Sequence, residues 1–222
     1  MKLFEIKLVN QQAALFAVKN WHYSKSIPAS KLVRFGVFEE DKYIGVIIFS
    51  RGASPFLGNS LGLDQTEVCE LTRVALTNHK TPVSQLVAQC LKNLKELNPG
   101  LRCVISFADP KEGHKGGIYQ AGNWLFTGAS NSVVEYFIGG RWMHTRNAYN
   151  LPERPFAPSR VSPGKFRYIY PLDKQLRRKV AKLALPYPNA VEGLEVSHGN
   201  SFSEVLVQSQ PTAPTSLAVK PL

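Results

Sequence analysis

The chain has 222 residues, 44% of them hydrophobic, and a formal net charge of +11. This length suits one core with an appended segment better than two full domains. No apolar run approaches the roughly 20 residues of a membrane span, and the polar start MKLFEIKLVNQQ argues against a signal peptide. Three widely spaced cysteines with apolar neighbours are typical of buried free thiols rather than of a disulfide framework or a zinc site. We therefore expect a cytoplasmic globular protein.

Positive charge is concentrated towards the C-terminal end. Residues 151–187 carry 9 basic and 2 acidic side chains, and so dense a positive field favours a polyanionic partner. Three aromatic residues, Phe166, Tyr168 and Tyr170, are interleaved there with basic ones, a pattern that favours nucleic-acid binding. A merely solvated basic surface is one alternative. An anionic membrane surface is another, although the apolar face of the segment is modest for stable insertion.

Apolar periodicity and capping residues predict the elements of the N-terminal half. Asn10 caps a helix that covers residues 10–20. A hairpin follows, with strands at 33–38 and 43–50, and a third strand covers residues 67–76.

The clearest element of the sequence is a helix at 82–97. Its predicted cap is Thr81, and Pro82 occupies its first position, where the missing N–H costs nothing. The remaining predicted elements are a buried strand at 103–108, a short helix or loop at 112–122, strands at 124–127 and 133–143, and a basic helix at 172–185.

This order of elements predicts an α+β fold in which a mixed central sheet carries helices on both faces. Residues 1–150 form the main domain in this interpretation, and residues 151–187 form a basic C-terminal extension. Residues 188–222 are rich in Ser, Pro and Thr and lack a periodic apolar face, so we expect disorder there.

Two segments gather side chains that can carry chemistry. The first is the loop WHYSKSIP, in which His22 can serve as a base or a metal ligand; a surface turn with an aromatic anchor is the alternative. The second is ELTRV, which lies in a strand. Glu70 and Arg73 reach the same face of that strand only if a β-bulge separates them. A salt-bridged edge strand is the alternative.

A third segment, SFADPKEGHKGGIY, starts in a buried strand. Asp109 ends that strand, the usual place for ligand-facing groups in open α/β sheets, although an Asp before Pro is also a common turn former. His114 and Tyr119 follow, for which a solvated loop histidine and a core tyrosine are the alternatives. The glycines match neither a P-loop nor a dinucleotide fingerprint.

Five segments are distinctive in combination: WHYSKSIP, IGVIIFSRGASPFLG, ELTRVAL, SFADPKEGHKGGIYQAGNWLFTG and KFRYIYPLDKQLRRK. Together they resemble the phage Mom proteins, which modify adenine and shield phage DNA from host restriction enzymes. The resemblance implies a GNAT-like fold, a catalytic domain at 1–150 and a DNA-binding role for 151–187. It also implies transfer of a carbamoylmethyl group to the adenine N6 amino group in double-stranded DNA, iron as a cofactor, and the host cytoplasm as the location of a phage-encoded chain.

The resemblance implies a catalytic set at the matching positions, which comprises His22, Tyr23, Glu70, Arg73, Asp109 and Tyr119. The candidate iron ligands are His22, Asp109 and His114, because two histidines and one carboxylate make a common open iron site. The basic side chains expected on phosphates are Lys25, Arg51, Arg141, Arg146, Lys165 and Arg167.

Roles for these residues follow from the chemistry of the reaction. Glu70 would accept a proton from N6 while Arg73 stabilises its ionised form. The resemblance to GNAT enzymes implies a general acid at the position of Tyr119. An extruded adenine needs aromatic neighbours, and the candidates for this stacking are Tyr23, Trp21 and Phe49.

The sequence departs from GNAT enzymes at the segment that binds the acyl-CoA pyrophosphate. Between the strand at 67–76 and the helix at 82–97 it contains TNHKT and no glycine, which argues against an acyl-CoA site and leaves the carbamoylmethyl donor unknown. Free N–H groups at the helix start could still hold an anion. Two other functions stay open, a GNAT acetyltransferase acting on a protein or small-molecule amine and a non-enzymatic DNA-binding protein. A homodimer is one alternative for the oligomeric state.

Overall fold

The computed structural model describes residues 3–188. In chain order its elements are β1 (Glu5–Leu8), α1 (Gln11–Trp21), β2 (Leu32–Glu39), β3 (Lys42–Ser50), β4 (Val68–Leu76), α2 (Val83–Leu97), β5 (Cys103–Ala108), α3 (Gly117–Ala121), β6 (Leu125–Ala129), β7 (Val133–Ile138), β8 (Arg141–His144), α4 (Thr145–Ala148), β9 (Ser159–Ser162), β10 (Phe166–Pro171) and α5 (Lys174–Ala181). Residues 189–222, which make up nearly all of the predicted disordered tail, lie outside the described residues.

A seven-stranded mixed sheet in the order β1-β2-β3-β4-β5-β10-β6 forms the centre of the fold. Its neighbouring strands are antiparallel except for the parallel pair β4 and β5. Consecutive residues of a strand face opposite sides, and Ile47 packs with α2 whereas Ile48 packs with α1. In the same way Val104 packs with α2 and Ile105 packs with α5. The predicted α+β fold, with a mixed sheet and helices on both faces, is therefore confirmed.

The N-terminal elements match their predictions closely. The Asn10 side chain accepts a hydrogen bond from Ala13 N–H at 2.9 Å and caps α1. Glu40 and Asp41 form the turn between β2 and β3 with φ angles of 49° and 62°, the left-handed conformation that two-residue hairpin turns require. The first strand, β1, was not predicted; it pairs with β2 and extends the sheet by one strand.

The start of α2 differs from its prediction. Pro82 precedes the helix with an extended backbone, ψ 133°, so it does not occupy the first helical position. Thr81 is not the side-chain cap either. The Glu39 carboxylate instead accepts hydrogen bonds from the backbone N–H groups of Lys80 at 2.9 Å and Thr81 at 2.8 Å. A carboxylate from the β2–β3 hairpin thus holds the turn that precedes α2.

The predicted boundary at residue 150 does not separate two structural units, because β10 lies between β5 and β6 inside the main sheet. Tyr168 of β10 is fully buried, and its ring packs against Tyr119 and Phe126. The aromatic residues of β10 therefore face the core on one side of the sheet, and Ile169 is buried on the other side. The basic helix α5 packs its buried Leu176 and Val180 on the opposite side of the sheet.

Residues 130–165 connect β6 to β10 and contain a separate three-stranded sheet in the order β8-β7-β9. The segment 133–143 was predicted as one strand, and that prediction is wrong. Gly139 and Gly140, with φ angles of 60° and 76°, form a tight turn that divides it into the hairpin of β7 and β8. The connection between two strands of the main sheet thus holds an additional unit.

Two further predictions concern the cysteines and membrane-spanning segments. The cysteines are free, with Cys90 and Cys103 buried and Cys69 half-buried, as predicted. Across residues 3–188, none of the helices has both the length and the apolar character needed to cross a membrane.

Replacement of Gly116 by alanine should destabilise the fold more than replacement of Gly113. Both glycines have positive φ, 82° and 71°, but a Cβ at Gly116 would lie 2.3 Å from the Tyr168 ring whereas Gly113 has open space. Gly113→Ala should therefore cost only the left-handed strain of about 1–2 kcal/mol, and Gly116→Ala about 1–3 kcal/mol more from overpacking. Urea unfolding of both variants measures the difference; equal losses would contradict the described packing.

Candidate active site

A cavity of about 830 Å³ opens where β4 and β5 separate. The two strands pair in parallel only from Val68–Cys103 to Glu70–Ile105, and their backbones diverge beyond that point. Five of the six predicted catalytic residues line the cavity, namely His22, Tyr23, Glu70, Arg73 and Tyr119. The sixth, Asp109, is linked to it through Lys165, a lining residue whose Nζ lies 2.8 Å from Asp109 Oδ2.

A β-bulge in β4 turns Glu70 and Arg73 to the same side. Ile48 of β3 pairs with Arg73, and the next residue, Phe49, pairs with Leu71, so Thr72 is an extra residue on β4. The Thr72 hydroxyl donates to Ile48 O at 3.1 Å and anchors the bulge. The bulge that the sequence required for a shared site is confirmed.

The carboxyl group of Glu70 has unusual electrostatics. Burial raises its pKa, while a hydrogen bond from Ala53 N–H and the charges of Arg73 and Lys165 act in the opposite direction. The net result is a pKa above the ordinary value of a glutamate. A carboxylate of raised pKa is a stronger proton acceptor than an exposed one, which is the property of a general base.

The Arg73 guanidinium is fixed by backbone carbonyls. Its Nε donates to Ser26 O at 3.0 Å and its Nη1 donates to Thr72 O at 2.7 Å. Ser26 belongs to the loop after α1, so Arg73 joins that loop to the bulge of β4. The position of the charge beside Glu70 therefore depends on the backbone rather than on a flexible side-chain pair.

His22 is buried and neutral at physiological pH. Its pKa is lowered to about 4 by burial and then by electrostatic interaction with Arg73, His114 and Lys25. The backbone N–H of Ser24 donates to His22 Nδ1 at 3.1 Å, and Ser24 Oγ lies 2.9 Å from the same atom. Because Nδ1 accepts, the proton of the neutral ring is on Nε2. His22 thus offers a hydrogen-bond donor and is a weak base.

Tyr23 supplies an accessible aromatic ring at the cavity. The residue is 48% exposed, and its ring stacks on His22 at a centroid distance of 4.4 Å and meets the edge of His114 at 5.5 Å. A planar ligand can therefore reach one side of a ring that is supported on the other. The proposed stacking role of Phe49 is wrong, because Phe49 is 1% exposed in the core.

The Tyr119 hydroxyl belongs to a hydrogen-bond network that connects β4 and β5 near the point where they diverge. Ser106 Oγ lies 2.7 Å from both Tyr119 Oη and Leu71 O, so a three-group network bridges β4, β5 and α3. Burial raises the pKa of Tyr119 to about 12, and the group stays protonated. This geometry gives Tyr119 a positioning role; its predicted role as a general acid stays a prediction.

The Asp109 carboxylate is already engaged by neighbouring groups. Lys165 Nζ contacts Oδ2 at 2.8 Å, and Lys111 N–H donates to Oδ1 at 3.1 Å. Burial acts to raise its pKa, but Lys165 and the Lys111 N–H outweigh it, and the pKa is lowered. Asp109 therefore stays ionised and caps the short 3-10 turn at Pro110–Glu112, the turn-forming use that was its alternative interpretation.

The predicted iron ligands are not gathered at one point in this arrangement. Nowhere within residues 3–188 do three His, Cys, Asp or Glu side chains lie close enough to share a metal ion. Nδ1 of His22 accepts from Ser24, and both oxygens of Asp109 have partners. The ring of Tyr23 contacts both His22 and His114. Iron binding by these residues stays a prediction.

The six basic residues predicted on phosphates are divided by the fold. Arg146 and Lys165 line the cavity, and Lys25 is close enough to His22 to lower its pKa. Arg141 is exposed on β8, at the far end of the hairpin. The other two, Arg51 and Arg167, lie elsewhere: Arg51 lines a different pocket, and Arg167 donates from Nε to Thr127 Oγ1 at 2.9 Å. Contact with DNA stays a prediction for all six.

Several lining residues were missed from the sequence. Lys115, His79 and His144 border the cavity together with His22 and His114. His79 follows β4 and His144 ends β8, so no local pattern connects them. Their common position depends on how the separate sheet is placed beside the main one.

The chain is similar to a curated relative and to several solved structures. The chain is 28% identical over 204 residues to the methylcarbamoylase mom of Escherichia phage Mu. The alignment covers 84% of this chain and 84% of that protein. Among solved structures, a spermidine N-acetyltransferase of Vibrio cholerae superposes with a TM-score of 0.48 at 13% identity, over 80% of this chain and 99% of that chain. The N-acetyltransferase PseH of Campylobacter jejuni superposes with a TM-score of 0.43 at 14% identity, over 77% and 99%.

The match to a whole protein family is more extensive. The sequence profile described as the Mom protein family matches residues 3–189, a range that includes every lining residue of the cavity and all six predicted catalytic residues. The chain belongs to the Mom protein family.

Proposed function

We propose that this chain is a transferase that attaches a carbamoylmethyl group to the N6 amino group of adenine in double-stranded DNA and so protects phage DNA from restriction. One observation carries the proposal: the bulge at Thr72 places Glu70, a carboxylate of raised pKa, beside Arg73 in a cavity with an exposed aromatic ring. The carbamoylmethyl group is the one that the resemblance to the Mom proteins implies, and the relative from phage Mu is named a methylcarbamoylase.

Adenine N6 lies inside the duplex, so the base must leave the stack to reach the cavity. Unstacking costs a few kcal/mol, which contacts in the pocket offset. The exposed ring of Tyr23 is placed to stack on the extruded base, and the N–H of His22 Nε2 is available to donate to an acceptor nitrogen of its edge. Lys115, Arg146 and Lys165 surround the opening with positive charge that suits the phosphates on either side.

The reaction replaces one N6 hydrogen by carbon. A bond forms between N6 and the methylene carbon of the donor, and the bond between that carbon and its leaving group breaks, with the electron pair on the leaving group. A proton must then leave N6, and Glu70 is the acceptor that we assign. The charge of Arg73 acts against the effect of burial on the Glu70 pKa and so favours the ionised carboxylate.

We further propose that the donor is not an acyl-CoA bound at the turn before α2. The backbone N–H groups of Lys80 and Thr81 already donate to the Glu39 carboxylate. A pyrophosphate at these groups would have to displace that negative charge, which disfavours anion binding there. This arrangement, like the missing glycines, counts against an ordinary acetyltransferase.

Mass spectrometry of nucleosides tests the proposed reaction. Plasmid DNA from cells that express the wild-type chain should contain N6-carbamoylmethyladenine. Glu70→Gln should lower the yield by roughly a hundredfold to ten-thousandfold, since it removes the proton acceptor. The control is Glu96→Gln, an exposed change on α2, which should leave the yield unchanged. Unmodified adenine from well-expressed wild-type protein would refute the proposal.

Glu70→Gln should also stabilise the folded chain at neutral pH. Burial raises the Glu70 pKa above its unfolded value, so above that pKa the folded wild type holds a desolvated charge that glutamine lacks. As pH falls below the raised pKa, Glu70 becomes protonated in the folded chain and the advantage of the variant decreases, and it is lost below the pKa of the unfolded chain. Urea unfolding at neutral and acidic pH measures this; a variant less stable than the wild type at neutral pH would contradict it.

Binding to duplex DNA should depend strongly on salt. About six phosphate contacts would lower the affinity by roughly a thousandfold between 50 and 200 mM salt. Arg146→Gln should reduce the slope of log affinity against log salt by about 1, whereas Lys92→Gln on the remote helix α2 should not change it. Fluorescence anisotropy with a labelled duplex gives both slopes. An affinity for duplex DNA that does not depend on salt would contradict the predicted phosphate contacts.

A further inference from the structure

One face of the separate sheet β8-β7-β9 continues the surface of the cavity. Glu135 pairs with His144 on one side and with Arg160 on the other. Because residues two apart on a strand share a face, Phe137 and its partner Trp142 lie on that face too. His144 lines the cavity, so a row of side chains leads outwards from the cavity to Phe137 and Trp142.

The outer end of this row is an exposed aromatic pair with an arginine on it. The rings of Phe137 and Trp142 lie 5.3 Å apart, and the two residues are 40% and 37% exposed. The Arg160 guanidinium lies 4.1 Å from the centre of a Trp142 ring. Its Nε donates to Glu135 at 2.9 Å, and Glu135 also accepts from Lys111 Nζ at 2.7 Å. These contacts fix the pair without burying it.

The chemistry of this face suits nucleic acid. Exposed tryptophan and phenylalanine rings stack on bases of any sequence, and an arginine beside them adds cation–π and phosphate contacts. The face begins at a cavity edge that carries Arg146 and Lys165, so its charge continues that of the opening. From Val133 at the cavity to Phe137 the strand covers about 13 Å, which corresponds to about four base pairs of DNA.

We propose that this face is a second DNA contact, at which Trp142 and Phe137 stack against bases on one flank of the target, about four base pairs away. The proposal rests on duplex DNA being the substrate, as argued above. An enzyme that extrudes a base distorts the duplex, and aromatic side chains that enter the flanking steps stabilise such a distortion. The contact holds the bent duplex while the adenine occupies the cavity.

Trp142→Ala tests this contact. The affinity for a duplex that extends on both sides of an adenine should fall roughly tenfold to a hundredfold. Trp142→Phe keeps an aromatic ring and should retain most of the affinity. Binding should also quench tryptophan fluorescence in the wild type, and Trp142→Phe should lose the part of the quenching that comes from Trp142, since Trp21 and Trp124 are present in both proteins.

The opposite face of the same sheet provides a matched control. Tyr149, 68% exposed, contacts Arg154, whose guanidinium also lies over Tyr136; Tyr136 faces away from Phe137. Tyr149→Ala therefore removes an equivalent arginine–aromatic contact on the other side and should leave DNA affinity unchanged.

Distinct outcomes overturn the contact and the proposed function. Wild-type affinity in a folded Trp142→Ala variant, or an equal loss in Tyr149→Ala, would refute the contact. A second outcome is that the wild-type protein binds the duplex but leaves adenine unmodified, while Trp142→Ala weakens the binding. That result would refute the proposed reaction and support the contact.

Discussion

The arrangement of the site depends on the point at which β4 stops pairing regularly with both of its neighbours. Parallel pairing with β5 ends at Glu70 and Ile105, and the pairing with β3 takes up one extra residue, Thr72, immediately afterwards. The first irregularity opens the cavity, and the second turns both charged residues into it. Without the bulge, Glu70 and Arg73 would face opposite sides of the sheet, and the buried carboxylate would lose its nearby positive charge. The site therefore depends on backbone register as much as on residue type.

The groups around this strand are arranged to keep charges in defined states. Arg73 is held by the carbonyls of Ser26 and Thr72, and Asp109 is held by Lys165. His22 is neutral because it is buried among positive charges. The pKa of Glu70 is raised, whereas the pKa of Asp109 beside the cavity is lowered. Such a separation of proton affinities is typical of catalytic sites.

Local patterns in the sequence were sufficient for part of this picture. The cap at Asn10, the hairpin of β2 and β3, and the need for a bulge between Glu70 and Arg73 all follow from short-range rules. Contacts between residues that are distant in the sequence could not be predicted from these local patterns. Because β10 lies between β5 and β6, one strand from the edge of the sheet, an aromatic-basic strand resembles an exposed arm when only its sequence is considered. The pairing of Asp109 with Lys165 joins residues 56 positions apart. The capping of the turn before α2 by Glu39 is non-local for the same reason.

Titration of the Glu70 carboxyl carbon by carbon-13 NMR tests the central claim most directly. The resonance can be assigned by its loss in Glu70→Gln. A carboxyl that the bulge places in a partly desolvated cavity should titrate with a midpoint above the ordinary glutamate pKa of about 4.3. A midpoint at or below that value would mean that Glu70 is solvated or fully ion-paired, and the proposed proton acceptor would be lost.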